Sequence, residues 1–415
     1  MKKSYKITIP EDDKFLLSVK IKHLQNLNQE HNQIFKNQFI LNPNENKLLT
    51  YYKNKINLPH YNKYWDTFKK YSNNYELIHN SNSRYKGHHN SIAYYNPLSR
   101  SYYKLWEIIM DFNLLNYNYP IKTAHIAEGP GGFVEAVVNY RKKNKFYNDQ
   151  VFAMTLKSLD KGVPGWNKAE NFLNKNKNIS ISYGQDGTGN IYVLKNIIHF
   201  KKIIGNSGCE FITGDGGFDF SENFNNQEQL SYQLIFSQIV IALTVQKIGG
   251  TFVCKFFDSY SLLTVKFLWL LNNVYESVII TKPLTSRPAN SEKYIVCQNF
   301  QGISQNYLES LYTIINYWNN LDKDNFILDI FDKNVPDYYI KIIEYNNNFI
   351  LFSQLKNIIK TLKLIHWHYQ NNEKLNKELL TKNIIKNQVN KAINWCLKYK
   401  VDINFKCYLI SEKHK

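Results

Sequence analysis

The chain has 415 residues, 43% of them hydrophobic, which supplies a packed interior, argues against wholesale disorder and implies two or three structural units. Lys and Arg number 52 against 34 Asp and Glu, a net charge of +18, which favours a polyanionic partner, nucleic acid before membrane. The competing reading is an AT-rich coding sequence, which enriches Lys alongside Asn, Ile and Tyr.

The opening, MKKSYKITIPEDDKF, is basic but meets Glu11, Asp12 and Asp13 before any apolar core, so it does not read as a signal peptide. Residues 1–90 are polar and weakly periodic, an N-terminal extension. His88 and His89 in RYKGHHN read as solvated or core side chains. Their basic, aromatic surroundings make the patch a minor candidate for RNA contact. From 91 to 300 short apolar runs alternate with helical patterns. TAHIAE (123–128), VFAMTL (151–156), ISISYG (179–184), CEFITGD (209–215), GGTFVCKFF (249–257), SVIITKP (277–283) and KYIVCQ (293–298) read as buried strands. Helices are expected from near Gly132, over Asn226 to Val245 and over Tyr260 to Leu271. This alternation predicts βαβ units, a Rossmann-like, seven-stranded, mostly parallel sheet with helices on both faces. The last two strands are joined too closely for a helix, which predicts an antiparallel hairpin.

Residues 301–415 read as a helical accessory region. Leu355, Ile358, Ile359, Leu362 and Ile365 recur at helical spacing. His366 and His368 flank Trp367, but positions i and i+2 do not share a helix face, so solvated or core histidines are expected rather than a metal site. The region is a candidate docking layer for RNA or a protein partner. Cys209, Cys254, Cys297, Cys396 and Cys407 are odd in number and widely spaced, which disfavours disulfides and zinc ribbons and implies a reducing, intracellular setting; the expected location is cytoplasmic rather than nuclear. The longest apolar run, Leu234 to Val245, is broken by Ser237 and Gln238 and too short for a bilayer.

The stretch HIAEGPGGFVEAV places a glycine turn directly after a strand, where open α/β sheets bind ligands. Glycine admits close backbone approach, and the following helix offers free N–H groups. The order Gly129-Pro130-Gly131-Gly132-Phe133-Val134 lacks the third glycine of a dinucleotide fingerprint, which disfavours NAD. Glu128 before the turn repels phosphate but suits a cation such as the sulfonium and ammonium of S-adenosyl-L-methionine; a plain tight turn is the alternative. Lys104 in SRSYYKLWEI, Asp215 in TGDGGFD, Lys255 in FVCKFFD and Glu292 in SRPANSEKYIVC all fall at or near strand ends of one sheet. Singly, Lys104 reads as a solvated lysine, and Asp215 and Glu292 as a cap and a surface acid. A lysine inside an apolar central strand is unusual, and the four together point to a site.

In that order SRSYYKLWEI, AEGPGGF, GDGGFD, FVCKFFD and SRPANSEKYIVC resemble the FtsJ-like ribose 2′-O-methyltransferases, and the match covers about residues 90–300. SRPANSEKYIVC, AMTLK (153–157) and YGQDGTGNI are similar to the branch that methylates mRNA caps, found in eukaryotes and large DNA viruses. With the base composition, that branch points to a large cytoplasmic DNA virus as the source. The resemblance implies the S-adenosylmethionine-dependent methyltransferase fold and a Lys-Asp-Lys-Glu tetrad at Lys104, Asp215, Lys255 and Glu292, with Lys255 as proton acceptor. It implies a methyl-donor loop at Glu128, Gly129, Pro130, Gly131, Gly132 and Phe133, and Asp186 facing the donor's adenosine. It implies RNA contacts at Asn225, Asn226, Gln227 and Asn290. Thr155-Leu156-Lys157 stands where many methyltransferases carry an acid for the donor ribose. The expected activity is methylation of the first transcribed nucleotide of capped RNA. The alternatives are ribosomal or transfer RNA methylation and a catalytically idle RNA-binding subunit.

Methyl transfer to a ribose hydroxyl needs an electrophilic donor, an in-line acceptor and loss of the acceptor proton. No metal is required by that scheme, and no ligand cluster is spaced for one. Burial and Lys104 push the pKa of Lys255 down, while Asp215 and Glu292 pull it up. The sequence leaves two roles open: a proton acceptor if the value is depressed, or a cation that orients the hydroxyl if it is not.

Overall fold

The computed structural model describes residues 4–7, 40–79, 91–157, 165–217, 226–321, 327, 329–330, 334–371 and 373–411. Its centre is a sheet in the order β1-β7-β8-β6-β5-β2-β3-β4. The strands are β1 (Ser4–Ile7), β2 (Lys122–Ile126), β3 (Gln150–Met154), β4 (Ile179–Ser182), β5 (Cys209–Gly214), β6 (Gln246–Phe256), β7 (Tyr275–Thr281) and β8 (Lys293–Phe300). β4, β3, β2, β5 and β6 are parallel neighbours, and β8 runs antiparallel to both β6 and β7. These are the expected strands, hairpin included. The addition is β1, which pairs antiparallel with β7 at the edge.

Helices cover both faces, as continuous apolar strands require. On one side α6 (Leu194–Ile204), α8 (Tyr232–Val245), α9 (Leu262–Val274) and α10 (Gln305–Asn319) bury Ile239, Phe267, Leu270 and Ile314 against Ile212, Phe252 and Ile295. On the other, α3 (Ser101–Asp111) and α4 (Gly132–Lys143) bury Leu105, Ile108, Phe133 and Val137 against Phe211, Val253 and Val296, and a short α5 (Glu170–Lys175) comes between β3 and β4 in the chain. The expected helix over 226–245 is broken: a short α7 (Gln227–Leu230) precedes α8, and Ser231 Oγ donates to Glu228 O at 2.8 Å, closing the first turn on itself. Ser261 caps α9 by accepting from Thr264 N at 3.3 Å, a preferred residue in that position.

The N-terminal region holds two helices that weak periodicity did not signal, α1 (Pro43–Ile56) and α2 (Pro59–Tyr71), each opening on a proline suited to the first helical turn. Their partner is α11 (Asp337–Gln370). Its Leu355, Ile358 and Leu362 stripe buries with Leu49, and Tyr52, Tyr61 and Trp65 pack against that cluster. Tertiary packing rather than propensity makes these helices. His368 packs on aromatic rings, 5.1 Å from Phe68 and 5.7 Å from Tyr64 by centroid. α12 (Lys374–Lys398) reaches the other layer, where Trp395 Nε1 donates to Glu107 Oε2 on α3 at 3.1 Å. All five cysteines are buried and unpaired. Among the described residues no helix is long and apolar enough to cross a membrane.

Candidate active site

Asp215 directly follows β5, Lys255 is the penultimate residue of β6 and Glu292 directly precedes β8. Gly214 lies opposite Cys254, and Tyr294 opposite Lys255. Two strand ends and one strand start therefore meet at the same edge, and α3 carries Lys104 to it. Lys104 Nζ donates to Glu292 Oε2 at 2.8 Å. Lys255 Nζ donates to Asp215 O at 2.9 Å and lies 3.2 Å from Asp215 Oδ1. The four side chains are 11–14% exposed, so they are shielded yet reachable. Tyr294 OH donates to Asp215 Oδ1 at 3.2 Å, and Ser286 Oγ to Glu292 Oε1 at 2.7 Å.

A third ammonium completes the group. Lys282, the residue after β7, donates to Asn290 Oδ1 at 2.8 Å, to Asn290 O at 2.9 Å and to Glu292 O at 2.5 Å. One buried cation thus clasps the loop that carries Asn290 and Glu292. Burial opposes ionisation of Glu292, but Lys104, Lys255 and Lys282 outweigh it and hold its carboxyl far below the usual range. Burial also works to lower the pKa of Lys255; the carboxylates of Asp215 and Glu292 overcome it and raise the value above that of an ordinary lysine. Lys255 therefore carries its proton in the substrate-free protein.

The loop Glu128–Phe133 joins β2 to α4 beside this group, and the Phe133 and Tyr294 rings lie 5.8 Å apart. Gly131 has φ +105°, and a Cβ on Gly132 would fall 2.3 Å from the hydroxyls of Ser99 and Ser101. Only glycine lets this turn press against the segment that leads into α3 and Lys104. Glu128 is buried, accepts from Thr213 Oγ1, and has Oε2 3.2 Å from His125 Nδ1 but without a hydrogen bond. Burial raises its pKa against the opposing pull of His125 and Thr213. Thr155, after β3, links this loop to the next: its Oγ1 accepts from Gly129 N at 3.5 Å, and Gly189 is seated against its carbonyl. Asp186 is exposed. Its Oδ1 accepts from Thr188 N at 2.9 Å and Asn196 Nδ2 at 2.9 Å, which shapes the 184–190 turn.

Of the expected RNA contacts, Asn225 lies outside the described residues, as do Phe218 and Asp219 of the GDGGFD motif and His88 and His89. Asn226 precedes α7. Gln227 Oε1 accepts from Ser291 Oγ at 2.6 Å, so Gln227 and Asn290 border one surface next to Glu292.

A family model described as FtsJ-like methyltransferase matches residues 97–300. Residues 97–300, just under half of the chain, are thus similar to the FtsJ-like methyltransferases and form an FtsJ-like domain. The cap-specific mRNA (nucleoside-2′-O-)-methyltransferase 1 of Mus musculus is 36% identical over 234 residues, 52% of this chain and 27% of that protein. The Xenopus laevis protein of the same name is 38% identical over 212 residues, 48% and 24%. The chain thus matches about a quarter of these relatives' length. Among solved structures, a ribosomal RNA methyltransferase from Plasmodium falciparum aligns over 49% of this chain and 99% of its own, at 22% identity and a TM-score of 0.37.

The FtsJ-like domain brings Lys104, Asp215, Lys255 and Glu292 together, with the glycine loop alongside. Sequence reasoning missed Lys282, Ser286 and Tyr294. The available signal for Lys282 was a lysine directly after the apolar run SVIIT, at another end of the same sheet. Nothing in the sequence marks which side of β8 carries the Tyr294 hydroxyl.

Proposed function

We propose that the chain transfers a methyl group from S-adenosylmethionine to the ribose 2′-hydroxyl of the first transcribed nucleotide of capped mRNA. The observation that carries this reading is the pairing of Lys104 with Glu292 and Lys255 with Asp215 around one shielded opening beside the glycine loop. The names of the relatives support the cap as the substrate's distinguishing feature.

The residues around the loop fit a cationic donor. Glu128 Oε2 is a buried acceptor without a hydrogen bond, suited to a positive charge. Asp186 has Oδ1 committed to its own turn, which leaves Oδ2 for the donor's adenosine hydroxyls. When bound, S-adenosylmethionine supplies an electrophilic methyl group. Lys255 meets the ribose as a cation. Two of its N–H groups face Asp215, and the third serves the 2′ oxygen, orienting a lone pair and stabilising charge as the O–H bond weakens. Lys104 and Glu292 hold the field around that oxygen, and Asp215 fixes the direction of the Lys255 amine. As the O–CH3 bond forms, the hydroxyl proton leaves to water, and the donor's sulfur would keep the electron pair of its broken bond to the methyl group and depart as a neutral thioether. For Lys255 itself to accept that proton it must first lose one, so that route gains rate as pH rises toward a value above the ordinary ~10.4 of lysine. Holding the acceptor in line supplies much of the acceleration.

The test is incubation with tritiated S-adenosylmethionine and matched capped and uncapped RNAs. Label in the 2′-O-methyl group of the first nucleotide of capped RNA alone is the expected result. Equal labelling of uncapped RNA moves the substrate to ribosomal or transfer RNA. Tight RNA binding without label makes the chain an idle binding subunit.

A further inference from the structure

A cleft of about 240 Å³ borders the Asn290 loop and is lined in part by residues outside the FtsJ-like match. Lys53 comes from α1, Trp65 and Lys69 from α2, and Gln227, Arg287 and Asn290 from the domain. Asn290 also accepts from Lys282, which holds the Glu292 carbonyl, so the cleft is one hydrogen-bonded step from the tetrad.

Its chemistry is specific. Trp65 packs against the Leu49–Leu355 cluster but is only partly buried, and its indole has no ring or hydrogen-bond partner among the described residues. Three cations line the cleft with it. Arg287 is fixed by Glu76, which takes Nε at 3.2 Å and Nη2 at 2.8 Å and leaves Nη1 for another acceptor. Lys69 pairs with Asp66, whose side chain is 84% exposed, an ion pair cheaply exchanged for a phosphate. Lys53 lies 3.5 Å from Asp258. An unpartnered aromatic ring among cations, continuous with a strand-binding edge, is what a stacked base with flanking phosphates requires.

We propose that this cleft is a nucleotide subsite built by the N-terminal helices. It takes the neighbour, along the strand, of the nucleotide whose ribose lies at Lys255. The base stacks on Trp65, and the linking phosphates meet Lys53, Lys69 and Arg287. This rests on the methyl-transfer reading for the place of the reacting ribose. The cap guanosine on the 5′ side and the next nucleotide on the 3′ side offer the same chemistry.

The experiment measures displacement of a fluorescein-labelled capped 12-nucleotide RNA from the full chain. The competitors are the dinucleotide m7GpppA, the unlabelled capped RNA and its uncapped triphosphate form. The proteins are wild type, Trp65→Ala, Trp65→Phe and Lys69→Gln. Trp65→Ala is expected to weaken capped RNA ~10-fold, with Trp65→Phe recovering most of the loss. Lys69→Gln is expected to flatten the salt dependence by about one ion. Donor affinity by calorimetry is expected to stay unchanged. A loss shared by the dinucleotide puts the cap guanosine in the cleft; a loss confined to the longer RNAs puts the 3′ neighbour there. A folded Trp65→Ala that binds all three probes like wild type overturns the proposal. Should that variant fail to fold, wild-type affinity and salt slope in Lys69→Gln overturn it. Methylation by the wild type, measured in parallel, separates the two readings: its absence refutes methyl transfer and leaves the binding comparison intact.

Discussion

Replacing Glu292 with Gln removes one negative charge and almost no volume. Its carboxylate lies 2.8 Å from Lys104 and faces the charges of Lys255 and Lys282 as well. In the variant Lys104, Lys255 and Lys282 lose that charge, and Asp215, paired with Lys255, is the tetrad's one remaining carboxylate. Removing one partner of a buried pair costs about 3–5 kcal/mol, and the residual exposure here argues for ~3 kcal/mol of stability. The same loss removes a contribution, smaller than that of Asp215, which holds the pKa of Lys255 up. Lys255 in Glu292→Gln therefore titrates at lower pH, and any rate limb that depends on its deprotonation moves down in pH. Misplacing Lys104 and the Lys255 amine together should slow methyl transfer ~100- to 1,000-fold at neutral pH. Single-turnover methylation of capped RNA from pH 6 to 10, with urea unfolding alongside, measures both effects. A folded variant with near-wild-type rates and an unshifted pH profile would remove Glu292 from the field around Lys255.

Lys282→Met unhooks the Asn290–Glu292 loop, so kcat should fall and KM for RNA should rise while donor affinity holds; Lys282→Arg should recover part of kcat, and unchanged kinetics in both would remove Lys282 from the machinery. Glu76 is buried, but Arg287 and Arg100 bring its carboxyl from 4.5 down to about 2. A depressed folded value gives stability that is present above about pH 4.5 and lost as pH falls through 2. Glu76→Gln should thus cost ~3 kcal/mol at pH 7 and progressively less toward pH 2, by urea unfolding; an equal cost at both ends of that range would contradict the assignment.

The domain was legible because its strands are continuous apolar runs and its site residues sit at strand ends. Lys255 stood out as a charge within FVCKFF, and the glycine turn as a break between strand and helix. The N-terminal helices were missed: Tyr61, Trp65 and Phe68 of α2 do recur at helical spacing, but they stand among Lys, Asn and Asp, and the surface they pack against, the Leu355–Leu362 stripe of α11, lies some 300 positions away along the chain. Two roles of single side chains were equally hidden. Lys282 reads as a lysine after a strand until its hydrogen bonds to Asn290 and Glu292 are seen. The direction of the Lys255 shift depends on distances to Asp215 and Glu292 that no local pattern encodes.

In the proposed reaction the amine of Lys255 acts on the ribose oxygen. The most direct measurement is single-turnover methyl transfer to capped RNA by Lys255→Ala, with donor and RNA affinities determined on the same preparation. Both ligands are expected to bind within a few-fold of wild type while transfer falls by at least ~1,000-fold. Near-normal transfer by that variant would contradict it.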